Sequence, residues 1–106
     1  MQNAWEDIMN IEKIIEASAI TLKVSGRLDT TTAPNLEAAV SEAVGSCDQM
    51  VMDFAGLEYI SSAGLRVILK AQKSMAAKGG MIIKNVNETI MEIFEITGFS
   101  DILTIE

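Results

Sequence analysis

The stretch from Asp53 to Arg66 reads D-F-A-G-L-E-Y-I-S-S-A-G-L-R. An apolar run closes at Asp53-Phe54, a short loop is expected to follow, and Ser61-Ser62 stand where a helix begins. A helix N-terminus presents unpaired N–H groups and a partial positive charge, so it suits an anion. A phosphate on a serine there would gain about 0.3–1 kcal/mol per charge when exposed. Serine is also simply a good cap, and either Ser61 or Ser62 could serve that purpose alone. Other chemistry finds little support. Histidine is absent from the 106 residues, which removes the usual general base, the serine-triad base and the commonest zinc ligand. Cys47 has Asp48 beside it and no histidine or nearby lysine in the sequence, so it reads as a non-catalytic thiol. Asp53 and Glu58 do not form the paired carboxylates of acid–base hydrolysis. The phosphate-cradling G-x-x-x-x-G-K-[ST] pattern does not occur. No catalytic residue, metal site or cofactor is expected.

The elements that must position the serines follow from periodicity and punctuation. Residues 8–15 are apolar, broken by Asn10, Glu12 and Lys13, and Ile20, Leu22 and Val24 alternate with polar residues as in a half-buried strand. Glu16–Ala19 is short enough for a hairpin, and Gly26 is expected to break the second strand. Trp5 precedes the first strand, as packing residue or as tail. Thr30-Thr31-Thr32 before Pro34 predicts a threonine-capped helix with the apolar stripe Leu36, Ala39, Val40, Ala43 and Val44, stopped at Gly45. Met50–Phe54 is nearly continuous in apolar residues and predicts a central strand buried on both faces. The next helix, Ala63 to Lys78, would bury Leu65, Ile68, Leu69, Met75 and Ala76 and end at Gly79-Gly80. Met81–Ile83 predicts another strand, Asn87 caps a helix from Glu88 to about Thr97, Gly98 stops it, and Ile102–Ile105 offers a last strand. Strands alternating with helices predict an α/β fold: a mixed, largely parallel sheet of four to five strands with three main helices. Most of the seven methionines fall on core faces, where they fill irregular space.

Composition sets the frame. At 106 residues with 49% hydrophobic, residues 1–106 are expected to form a single domain with one real core. One cysteine permits no internal disulfide, and the longest uncharged runs, Thr30–Leu36 and Tyr59–Leu65, are seven residues, too short for a membrane span. The N-terminus MQNAWEDIMN carries acids and no basic segment, unlike a secretory signal. A reduced, cytoplasmic protein without membrane insertion is expected. Fifteen acids against eight bases give a net charge of −7, which argues against nucleic acid as a partner. Half of the bases, Arg66, Lys70, Lys73 and Lys78, lie on one predicted helix, while every charge after Lys84 is acidic. Those two faces either balance each other in solvent or make a positive edge beside Ser62 that meets an acidic partner.

Taken together, these pieces resemble the STAS domain, shared by sulfate transporters and anti-sigma factor antagonists. The resemblance runs over nearly the whole chain: S-G-R-L-D at Ser25–Asp29, a helix, a strand ending D-F, the serine segment, a helix, G-G, a strand, a helix and T-G-F at Thr97–Phe99. It implies the partner switching of the stand-alone antagonists. Such a protein binds a serine kinase that doubles as an anti-sigma factor, is phosphorylated on a serine and released, and is reset by a serine phosphatase. The family pattern D-S-S-G or D-S-T-G, placed with its glycine on Gly64, puts the acceptor on Ser62, the second hydroxyl position on Ala63 and the aspartate on Ser61. Two of four positions thus depart from the pattern, and Ser61 is left as a second choice of acceptor. The resemblance implies a partner surface that takes in Asp29, Ser61, Ser62, Ala63 and Gly64, with Arg66 and Lys70 beside it. Asp29 reads equally well as an acid of a turn or cap. Sporulation-type members continue into a further C-terminal helix, which is expected to be missing after Glu106. The same fold also serves as a subunit or regulator of membrane transport complexes for lipids or anions, in which the serine segment would be a docking surface only.

Overall fold

The computed structural model describes residues 9–106; Trp5 and the first residue of the apolar 8–15 run lie outside them. Strand β1 (Met9–Glu16) turns at Ala17, whose φ is +55°, into β2 (Ala19–Leu28), and the two pair antiparallel. Helix α1 (Ala33–Val44) then leads to β3 (Gln49–Ile60), α2 (Ser62–Ala76) to β4 (Met81–Lys84), and α3 (Glu88–Ile96) through a short 3₁₀ turn (Phe99–Asp101) to β5 (Thr104–Ile105). The strand order is β1-β2-β3-β4-β5, with every pairing after the hairpin parallel. The expected α/β class, strand number and three helices are all present.

This order has a consequence for the layers. Each β–α–β crossover steps one strand in the same direction, and crossovers are right-handed, so all three helices must lie on one face. The buried side chains agree: Ile20, Leu22 and Val24 of β2, Met50, Met52 and Phe54 of β3, and Met81 and Ile83 of β4 share that face. Leu36 and Val40 of α1, Val67, Ile68 and Ala71 of α2, and Ile90 and Phe94 of α3 pack against them. The other face carries Thr21, Lys23, Val51, Asp53, Ile82 and Lys84, and no helix covers it among the described residues. The expectation that β3 is buried on both faces is therefore corrected. Burying both faces would need a reversal of strand order, and the described part of the sheet has none.

Three further expectations change. β2 is not broken at Gly26; that residue takes φ +87° inside the strand, next to a register shift. β3 does not stop at Phe54 but runs six residues further, with extra residues opposite β2 between Lys23 and Ser25 and between Gly26 and Arg27. Its buried positions accordingly fall at 50, 52, 54, 57 and 60, so two bulges hide the continuing strand from a period-two reading. Gly56 sits at the first bulge, where a Cβ would stand 2.7 Å from the Ser25 Cβ. On α2, Ala76 is exposed and Leu69 only half-buried, because the buried stripe passes through Val67 and Ala71.

Candidate functional site

Past Asp53↔Lys84 the sheet loses β4, and among the described residues β1 pairs β2 as far as Gly26, so the described ends of β2 and β3 form a two-stranded ledge. The ledge is anchored from below by Leu28, Leu57 and Ile60, all buried. Asn87 closes its free edge: its Nδ2 donates to the Leu57 carbonyl at 2.8 Å while its Oδ1 caps α3 by accepting from the Ile90 N–H at 2.9 Å. At the tip, the Ser61 N–H donates to the Leu28 carbonyl at 2.9 Å, so the segment holding Asp29 and the one holding the two serines leave the sheet side by side.

The two serines have different tasks. Ser61 is the N-cap of α2, in extended conformation, and its Oγ accepts from the Gly64 N–H at 3.4 Å. Ser62 is the first helical residue, exposed, and makes no side-chain hydrogen bond among the described residues. The alternative left open by composition is thereby settled: Ser61 caps, and the Ser62 hydroxyl is free at the positive end of a 15-residue helix. Ala63 is half-buried beside it. Gly64 is buried, and a Cβ there would come 2.6 Å from Leu28 Cγ and 3.0 Å from Ile60 Cγ1. Glycine thus lets α2 begin in direct contact with the ledge.

Asp29 is locked rather than free. Its Oδ1 accepts from the Thr31 N–H at 2.9 Å, the Thr31 hydroxyl at 2.7 Å and the Thr32 N–H at 3.2 Å. The Thr31 hydroxyl above all, then the backbone N–H groups, hold its carboxyl below the ordinary value despite some desolvation. The expected threonine cap is corrected here: Thr32 occupies the N-cap position but its side chain makes no capping bond to α1. Its buried hydroxyl instead donates to the Arg27 carbonyl at 2.8 Å and accepts from the Asp29 N–H at 2.8 Å. Asp29 is the turn acid, and an aspartate followed by two threonines is a turn signal that local reading can find. Its Oδ2 remains open, with Arg27 Nε 4.0 Å away.

A groove of about 240 Å³ lies between α1 and α2, walled by Thr30, Pro34 and Glu37 on one side and Ala63, Arg66 and Lys70 on the other. Lys70 spends its charge on Glu37 at 2.9 Å, whereas Arg66 is exposed and has no ion-pair partner among the described residues. The basic stripe on α2 is therefore partly balanced by α1, not by the acids of α3. One pair escapes any sequence reading: Arg27 and Tyr59 face each other across β2 and β3, the guanidinium carbon 4.2 Å from the ring centroid. The pairing depends on both bulges, and no local pattern announces it. Away from the ledge, Cys47 is buried in the core and Asp53 is held by Asn85 Nδ2 at 3.0 Å and the Ala55 N–H at 2.9 Å. The T-G-F segment is structural: Thr97 Oγ1 donates to the Ile93 carbonyl at 2.7 Å, Gly98 takes φ +81°, and Phe99 stacks on Phe94.

Comparison with known proteins matches this arrangement. The STAS domain family model matches residues 10–106. The anti-sigma-B factor antagonist of Staphylococcus epidermidis is 32% identical over 98 residues, covering 90% of each chain. Among solved structures, an anti-sigma factor antagonist from Mycobacterium paratuberculosis superposes with a TM-score of 0.85 at 22% identity, over 93% of this chain and 86% of that one. The Bacillus cell fate determinant SpoIIAA in its phosphorylated form superposes with a TM-score of 0.71 at 20% identity, over 92% and 90% of the two chains. With the glycine-tightened helix start, the turn-locked aspartate and the parallel sheet all in place, the chain belongs to the STAS domain family, where its relatives are named anti-sigma factor antagonists.

Proposed function

We propose that this protein is an anti-sigma factor antagonist of the cytoplasm, a binding module and not an enzyme, switched by phosphorylation of Ser62. Unmodified, it sequesters an anti-sigma serine kinase and so frees a sigma factor. The kinase transfers the γ-phosphoryl group of ATP to Ser62 Oγ, leaving ADP and a phosphoserine, and a serine phosphatase hydrolyses the ester to reset the cycle. The observation that carries the reading is the division of labour between the serines: Ser61 Oγ is engaged as the cap, and Ser62 is exposed with its hydroxyl uncommitted among the described residues. Modifying Ser62 thus costs the fold no hydrogen bond, and the new charge sits where the helix dipole favours it. The names of its relatives and the solved phosphorylated form of SpoIIAA support the same reading. No helix among the described residues is long and apolar enough to cross a membrane.

Partner release follows from charge. The phosphate adds roughly −1.5 to −2 charges on a surface that must be desolvated in the complex. With purified cognate kinase and ATP, Ser62→Ala is expected to abolish phosphate incorporation and Ser61→Ala to retain most of it. Ser62→Asp is expected to weaken kinase binding at least tenfold in calorimetry, about 1.4 kcal/mol, with unchanged circular dichroism. Incorporation into Ser61 alone, or equal affinities for wild type and Ser62→Asp, would refute the switch.

A further inference from the structure

The ledge carries a second feature that the serines do not use. Arg27 and Tyr59 lie in register on the sheet face away from the helices, one step before the hydrogen bond that joins Leu28 to Ser61. The Arg27 side chain is 54% exposed and Tyr59 is 38% exposed, although the guanidinium is stacked on the ring. A surface arginine ordinarily surrenders rotamer entropy when it binds; one already laid flat on an aromatic ring surrenders less. Among the described residues its guanidinium makes no hydrogen bond, and the carboxylate facing it there, Asp29, stands at 4.0 Å and has its other oxygen filled by Thr31 and Thr32. Arginine and tyrosine are the residue types that carry most energy at the centres of interfaces. The bulges bring the two side chains together past the last β3–β4 pair, Asp53↔Lys84, where β3 has only β2 as a strand partner among the described residues.

We infer that Arg27, held on Tyr59, is the anchor for a carboxylate on the anti-sigma partner. The planar fork of the guanidinium accepts such a group through two parallel N–H···O bonds, and the exposed part of the ring covers the partner's adjoining apolar surface. The inference rests on the phosphorylation switch proposed above and deepens it. Tyr59 precedes Ser62 by three residues, so a phosphate on Ser62 brings negative charge to the end of the molecule where the partner's carboxylate is bound. Like charges then meet in a partly desolvated contact, which opposes rebinding.

The probe is the purified anti-sigma serine kinase of the source organism that phosphorylates Ser62, selected from a purified panel. Its affinity for the full chain is measured by calorimetry at several salt concentrations. Arg27→Ala and Tyr59→Leu are each expected to weaken binding at least tenfold, and Arg27→Lys, which keeps the charge but not the fork, at least threefold. The double variant should lose no more than about threefold beyond the worse single one, because the pair acts as a unit. Wild-type affinity should fall as salt rises, and that of Arg27→Ala should fall less steeply. Thermal unfolding of each variant, and its phosphorylation by excess kinase, report that the fold is retained. Arg27→Ala binding within twofold of wild type while Ser62→Asp loses tenfold would overturn the anchor and leave the switch standing; so would identical salt slopes. If no kinase of the panel binds the wild-type chain, the switch falls and the anchor with it.

Discussion

Gly64→Ala is a small change at the point where the helix meets the ledge, and its cost can be worked out from the contacts. The added Cβ would stand 2.6 Å from Leu28 Cγ and 3.0 Å from both Leu28 Cδ2 and Ile60 Cγ1. Comfortable carbon–carbon contacts are about 3.5–4.0 Å, so the shortfall is close to 1 Å. Neither neighbour can swing away into solvent, since Leu28 is 0% and Ile60 3% exposed. Overpacking of this kind costs about 1–3 kcal/mol. Alanine recovers part of this through helix propensity, at most ~1 kcal/mol and less in a first turn. The net expectation is a loss of about 1–2 kcal/mol, or roughly 5–15 °C in Tm for a domain near 100 residues. Urea titrations should show a lower midpoint with an unchanged slope. The cost should shrink when Leu28 is first trimmed to alanine, because the clash has then lost its main partner. A Tm equal to or above wild type would refute the argument that α2 starts in direct contact with β2 and β3.

Stability should fall on the acid side. Asp29, held below its ordinary value chiefly by the Thr31 hydroxyl, and Asp53, held below it chiefly by Asn85, stabilise the fold fully above their unfolded values and lose that contribution as pH drops through the lowered folded ones. Urea midpoints should therefore decline below about pH 4, and Asp29→Asn and Asp53→Asn should each flatten that decline while lowering the neutral-pH midpoint. Cys47 is 3% exposed, and burial pushes its thiol up, so a maleimide should label it slowly in native protein and quickly in urea; fast native labelling would contradict its place in the core. Arg66, four residues after Ser62 on α2, should lie beside a Ser62 phosphate and favour its dianion. Phosphorus NMR of the phosphorylated protein at low salt should then show the second phosphate pKa rising in Arg66→Ala, and an unchanged value would leave Arg66 to the partner or to solvent.

Much of the fold was legible residue by residue where the governing interactions are local. The α1 stripe through Leu36, Val40 and Ala43, the Asn87 cap, the helix stop at Gly98 and the alternation of Ile20, Leu22 and Val24 all rest on contacts within a few positions, and all are found as read. The serine cap at the start of α2 was legible for the same reason, since a capping serine acts within the first turn. Beyond Phe54 local reading failed, because two bulges shift the buried positions from even to odd and back, and a strand that changes phase looks like a loop. Which serine caps depends on where α2 meets Leu28, and that contact joins residues more than thirty positions apart. The sheet face that no described helix covers and the Arg27–Tyr59 stack depend on strand order and register. Those are settled by the right-handed crossovers and by pairing between distant strands, interactions whose energy exists only once the chain has closed on itself.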